Sequence, residues 1–131
     1  MADTVDTLSL FTGTRRVVRR YTNVSDGTGE SLVNKLDISG LTGPSGAAPT
    51  SVGIEEILYD IQGFTSIRIF FDHTTDDEAV VLSGSGYRDY TNVGGLLDPE
   101  SAGGTGDILF TTAGAVSGGT YDISIVYRLK D

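Results

Sequence analysis

Apolar residues recur at every second position over several stretches of this chain. In "TYDISIVYRL", Tyr121, Ile123, Ile125, Tyr127 and Leu129 alternate with Asp122, Ser124, Val126 and Arg128, the period of a strand with one buried face. "TSIRIFF" repeats it, with Ile67, Ile69 and Phe71 on one side and Arg68 and Phe70 on the other. "DILFTT", "EAVVLSG" and "SLVNKLDI" are shorter runs of the same type, bounded by Gly, Ser and Asp. "TRRVVRRYTNV" is β-branched and aromatic enough for a strand, although its pattern comes in pairs. "GIEEILYDIQG" is ambiguous. Ile54, Ile57, Leu58 and Ile61 sit at helical spacing, whereas a strand puts Ile57, Tyr59 and Ile61 on one face. Its short length, the lack of an N-cap box and its strand-like neighbours favour the strand.

About eight strands with near-regular turn signals predict an all-β fold, an antiparallel β-sandwich of jelly-roll type. At 131 residues the chain fits one domain. Residues 1–12 read as an N-terminal arm whose Leu8, Leu10 and Phe11 need a covering surface, and residues 13–131 as the sandwich. Two Gly-rich connections, "SGLTGPSGAAPTSVG" and "TNVGGLLDPESAGGTG", are poor in core residues and suit contact loops.

Composition narrows the function. With no cysteine, disulfide and thiolate chemistry are out. No apolar run approaches a membrane span, and "MADTVDTLSL" lacks a basic region followed by an apolar one, so neither membrane insertion nor secretion is expected. The net charge of −9 argues against general nucleic-acid affinity.

Within that acidic chain, "TRRVVRR" concentrates four arginines. On an extended strand Arg15 and Arg19 point one way with Val17 and Tyr21, and Arg16 and Arg20 the other way with Val18. They straddle the strand and form no single basic face. Two uses remain: an edge strand blunted by charge, or interface charge seating the protein on an acidic neighbour. "SDGTGE" lacks the Gly-Lys-Ser/Thr of a phosphate loop, and Asp26-Gly27 fits a tight hairpin. "DHTTDDE" gathers Asp72, His73, Asp76, Asp77 and Glu78 without the spacing of a calcium loop, so a solvated hairpin is expected and no metal site. His73 is the sole histidine and no Gly-x-Ser-x-Gly elbow accompanies it, so no enzyme and no cofactor are expected. Tyr87, Arg88 and Tyr90 in "GSGYRDYTNVGG" have the composition of an interface anchor.

Three stretches carry a resemblance: "RRYTNVSDGTGESLVNKLDISGL", "ILYDIQGF…FDHTTDDEAVVLSGSGYRDY" and "GGLLDPESAGGTGDILFTTAGAVSGGTYDISIVYRL". Together they resemble a group of small virion structural proteins of tailed bacteriophages, many from marine hosts, over nearly the whole chain after residue 12. The resemblance implies a non-enzymatic part of the particle, made in the host cytoplasm and placed on the capsid exterior. It implies decoration or cementing of the head by binding the major capsid protein, as a homo-oligomer with a trimer favoured, and no nucleic-acid or membrane partner. A neck, tail or fibre module binding a partner protein or a host glycan through the loops around Tyr87 to Asn92 is the alternative. The expected interface residues are Leu8, Leu10, Phe11, Arg15, Arg16, Arg19, Arg20, Tyr87, Arg88 and Tyr90.

Overall fold

The structure is a computed structural model describing residues 3–73, 76–97 and 104–130, with residues 73, 104 and 105 described by their backbone alone. Its strands are β1 (Thr4–Thr12), β2 (Arg16–Asp26), β3 (Val33–Leu36), β4 (Ser51–Gln62), β5 (Ser66–His73), β6 (Asp77–Leu82), β7 (Ser85–Asp89), β8 (Leu96–Leu97), β9 (Gly104–Ala113) and β10 (Ser117–Lys130). Every pairing is antiparallel. One sheet runs β1-β2-β10-β4-β7, with β8 also on β4, and the other runs β3-β9-β5-β6. The chain crosses between the sheets at most connections. This order is the double Greek key of a jelly roll, so the expected fold class holds, with two more strands than the alternation marks out.

The core is the inward faces of both sheets. From the six-stranded sheet come Val17, Tyr21, Ile54, Ile57, Ile61, Tyr121, Ile123, Ile125, Tyr127 and Leu129; from the other come Leu36, Ile67, Ile69, Phe71, Leu82, Ile108 and Phe110. Burying each such side chain stabilises the fold by roughly 1.5–3 kcal/mol relative to exposure. Tyr21 meets Phe110 edge-on with ring centroids 5.1 Å apart, and its hydroxyl shares a 2.9 Å hydrogen bond with that of Tyr127. Burial pushes both phenols above their ordinary pKa. They stay protonated and bonded to one another.

Strand β4 shows why its sequence reads two ways. Its register against β10 shifts between Val126 and Tyr127, so Ile57 faces Ile125 while Ile54 faces Tyr127. This bulge puts two residues three apart on the same inward face. A strand with a bulge therefore imitates half a helical period, and Leu58 points outward.

Three expectations are corrected. The arginine strand β2 is not an edge; β1 and β10 flank it. Asp26-Gly27 does not close a hairpin. Gly27, at φ +102°, starts the crossover that carries the chain from β2 to β3 in the opposite sheet, and Asp26 caps that turn by accepting from the Thr28 N–H at 3.1 Å. The segment expected as an arm is the edge strand β1, paired with β2 from Thr4 to Thr12. All nine of its residues are exposed. A strand with neither face covered has no alternation to display, so its sequence looks like a tail.

Candidate interaction surface

Register decides what shares the outward face of the six-stranded sheet. Inward positions on β2 are Val17, Arg19, Tyr21, Asn23 and Ser25, so Arg16, Val18, Arg20, Thr22 and Val24 face out. One row across the sheet reads Leu8, Arg20, Ser124, Leu58, Tyr87, from β1 through β2, β10 and β4 to β7. The next row reads Phe11, Val18, Val126, Glu56, Asp89. Leu8, Leu10, Phe11, Leu58 and Tyr87 are each between 51% and 59% exposed. Isolated surface leucines are ordinary, but apolar side chains gathered on one face, here with Arg20 and Ser124 between the β1 group and Leu58, mark a contact surface. An open groove of 480 Å³ runs into this surface, lined by Leu10, Arg20, Leu58, Asp60, Asp122 and Ser124 with Tyr59. A smaller one of 370 Å³ lies at the β1–β2 hairpin among Phe11, Gly13, Thr14, Arg15 and Arg16.

The sheet thus gathers six of the ten expected interface residues: Leu8, Leu10, Phe11, Arg16, Arg20 and Tyr87. The arginines do not arrive as free charge. Arg16 Nε donates to Glu55 Oε1 at 2.7 Å, and Arg20 grips Asp122 through Nε at 2.9 Å and Nη2 at 2.5 Å. These hydrogen bonds raise both guanidinium pKa values and pull Asp122 below its usual range. Tyr87 donates to Glu56, which pushes its phenol up to about 12.

The other four lie elsewhere. Arg15 is exposed in the β1–β2 hairpin. Arg19 faces inward, 9% exposed, its Nη1 donating to the Phe11 carbonyl at 3.1 Å and to Thr12 Oγ1 at 3.1 Å. It fastens the end of β1 and offers nothing to a partner. Arg88 and Tyr90 are half-buried; Arg88 lies 5.8 Å from the Tyr59 ring centroid, and hydrogen bonds to Tyr90 and Tyr59 raise its pKa. Tyr87, Arg88 and Tyr90 therefore form no common exposed platform. Of the acidic loop, residues 74 and 75 and the His73 side chain lie outside the described residues; Glu78 pairs with Arg68 across β5 and β6. Among the described residues, no group of three or more His, Cys, Asp or Glu is placed to hold a metal ion.

The structure also shows two polar clusters that the sequence conceals. Asp3 clamps the start of β1: Oδ1 accepts from Ser25 Oγ at 3.0 Å and from the Asp26 and Gly29 N–H groups at 3.1 and 3.2 Å, and Oδ2 accepts from Asn23 Nδ2 at 3.1 Å. Burial pushes the Asp3 carboxyl upward, but hydrogen bonds from Asn23, the Asp26 N–H, Ser25 and the Gly29 N–H outweigh it and hold the pKa at about 2. A depressed carboxyl stabilises the fold above its unfolded value of 3.8, and this is lost as pH falls through about 2. Hydrogen exchange of the β1 amides is accordingly expected to quicken between pH 4 and pH 2, relative to the core strand β10, after correction for intrinsic rates. Asp3→Ala should show the faster exchange already at neutral pH. Exchange of β1 unchanged by that substitution would refute the clamp.

The second cluster is interior. Lys35 Nζ lies 2.5 Å from Glu30 Oε2, each side chain 5% exposed, and 5.8 and 5.9 Å from the Phe110 and Tyr121 ring centroids. Glu30 Oε1 accepts from Asn23 Nδ2 at 3.0 Å and from the Tyr121 hydroxyl. Asn23 Oδ1 is buried and has no hydrogen-bond partner among the described residues. An ion pair enclosed in this way is out of a substrate's reach, and its chemistry is structural.

No protein-family model and no curated protein matches the chain. Among solved structures it is similar to a cupin superfamily protein from Desulfitobacterium hafniense, at 15% identity over 100% of this chain and 82% of that one, with a TM-score of 0.41. The strand order above stands independently of that likeness.

Proposed function

We propose that this protein is a non-enzymatic virion component, a decoration or cement protein that docks on the major capsid protein through the outward face of its six-stranded sheet. The observation that carries the docking is the set of exposed apolar side chains Leu8, Leu10, Phe11, Leu58 and Tyr87, carried on one face by β1, β4 and β7 with Arg20 and Ser124 among them. Exposed apolar anchors interleaved with charged and polar side chains suit a protein contact, and a stable one needs about 800 Å² from each partner. The capsid as partner rests on the phage resemblance of the sequence. The function needs only mass action, since a protein that binds the assembled shell and not its free subunits makes disassembly costlier. On this reading the protein assembles as a homo-oligomer, a trimer by preference, on the outside of the head.

Purified protein mixed with undecorated heads is expected to co-sediment at moderate salt and to raise the temperature at which the heads burst. Failure to co-sediment, with protein that melts cooperatively on its own, would refute the reading.

A further inference from the structure

The groove between Leu10 and Leu58 has an acidic end. Asp60 on β4 stands directly opposite Asp122 on β10, and Asp6 on β1 continues the same row beyond Thr22. Like charges directly opposite in a sheet repel and destabilise the pairing. Arg20 relieves Asp122, whereas among the described residues no cation pairs with Asp60 or Asp6. The fold therefore keeps an unrelieved carboxylate in a groove that Leu10 and Leu58 line together with Arg20, Tyr59 and Ser124.

A group that relieves it needs a positive head and a methylene stem to lie between two leucines. Lysine and arginine side chains have both, and they pack their stems along apolar surface while the charge stays at the rim. A leucine in the same place would strip water from Asp60 without compensating its charge, and an anionic group would add to the repulsion. Resting on the docking proposed above, the geometry points to a lysine or arginine side chain of the partner protein as the occupant of this groove, its stem between Leu10 and Leu58 and its cation on Asp60. The polarity is the reverse of the one the arginine cluster suggests. Arg16 and Arg20 are satisfied within the chain and Arg19 is turned inward, so the charge left over at the groove is negative.

The test uses the full chain and Asp60→Asn. Removing the repulsion is expected to raise the melting temperature, while co-sedimentation with undecorated heads weakens roughly three- to tenfold. Moving in opposite directions, the two readouts separate this effect from misfolding. In a second arm, ¹⁵N-labelled wild-type protein is titrated with Ac-Leu-Arg-Leu-NH2 and with Ac-Leu-Glu-Leu-NH2 up to about 10 mM, a range in which a single side-chain contact registers. The arginine peptide should shift the amides of Leu58, Asp60, Asp122 and Ser124, the glutamate peptide should not, and Asp60→Asn should abolish the response. Equal responses to both peptides, no response at the groove, or undiminished head binding by Asp60→Asn would overturn the inference. Heads that ignore the wild-type protein while the arginine peptide still perturbs the groove would remove the capsid reading and leave this one standing.

Discussion

Replacing Lys35 by methionine is expected to cost about 3–5 kcal/mol of folding free energy, the usual penalty for leaving one member of a buried ion pair without its partner. Methionine keeps most of the stem volume between Phe110 and Tyr121, so the packing loss is small and the charge effect is isolated. What remains is the Glu30 carboxylate, 5% exposed, with Asn23 and the Tyr121 hydroxyl as its donors among the described residues. Because domains of this size are stable by only about 5–15 kcal/mol, such a loss removes a large share of the total. The companion variant Glu30→Gln/Lys35→Met should recover much of it, since no uncompensated charge is left inside. Urea unfolding reads both as midpoint shifts at unchanged slope. A loss below about 1 kcal/mol for Lys35→Met would mean that the pair is hydrated and that Glu30 does not need its cation.

The second large effect belongs to the surface. Leu58→Asp should leave the fold near its wild-type stability, because Leu58 is 59% exposed and surface changes mostly fall within about 0.5 kcal/mol. Docking is another matter. Leu58 lies mid-row between Ser124 and Tyr87 and lines the groove with Leu10. The substitution removes the central apolar anchor and adds a carboxylate beside Asp60. Central anchors of protein contacts cost about 2–4 kcal/mol when lost, so head binding is expected to fall on the order of 100-fold. A melting curve beside the sedimentation assay guards against a folding defect. Binding that persists within about threefold would remove Leu58, and with it this face, from the contact.

The two-residue period of β10 and β5 shows in the sequence because both strands are covered on one side and open on the other. Those strands alone suffice to place the chain among all-β sandwiches. Elements whose burial departs from that pattern are hidden. β1 is open on both faces, so Leu8, Leu10 and Phe11 read as a loose arm, although their need for a cover is visible. The bulge in β4 breaks its parity at Ile54 and imitates a helix. The arginines were legible as a straddling set, and Arg16 and Arg20 indeed point away from Arg19. Their partners were not. Glu55 and Asp122 lie 39 and 102 residues away, and only long-range register brings them beside β2. Lys35 and Glu30 look like solvated charges until β9 and β10 close over them. The pairing of Asp60 with Asp122, on which the groove's polarity depends, likewise exists only once β4 and β10 are in register.

A cryo-electron microscopy reconstruction of decorated heads would show which face of the protein meets the shell. Density for this jelly roll is expected on every capsomer, seated with Leu10, Leu58 and Tyr87 against the shell and the β3-β9-β5-β6 sheet turned to solvent. Density confined to the neck or tail, or a molecule standing on the shell with its six-stranded sheet facing outward, would contradict it.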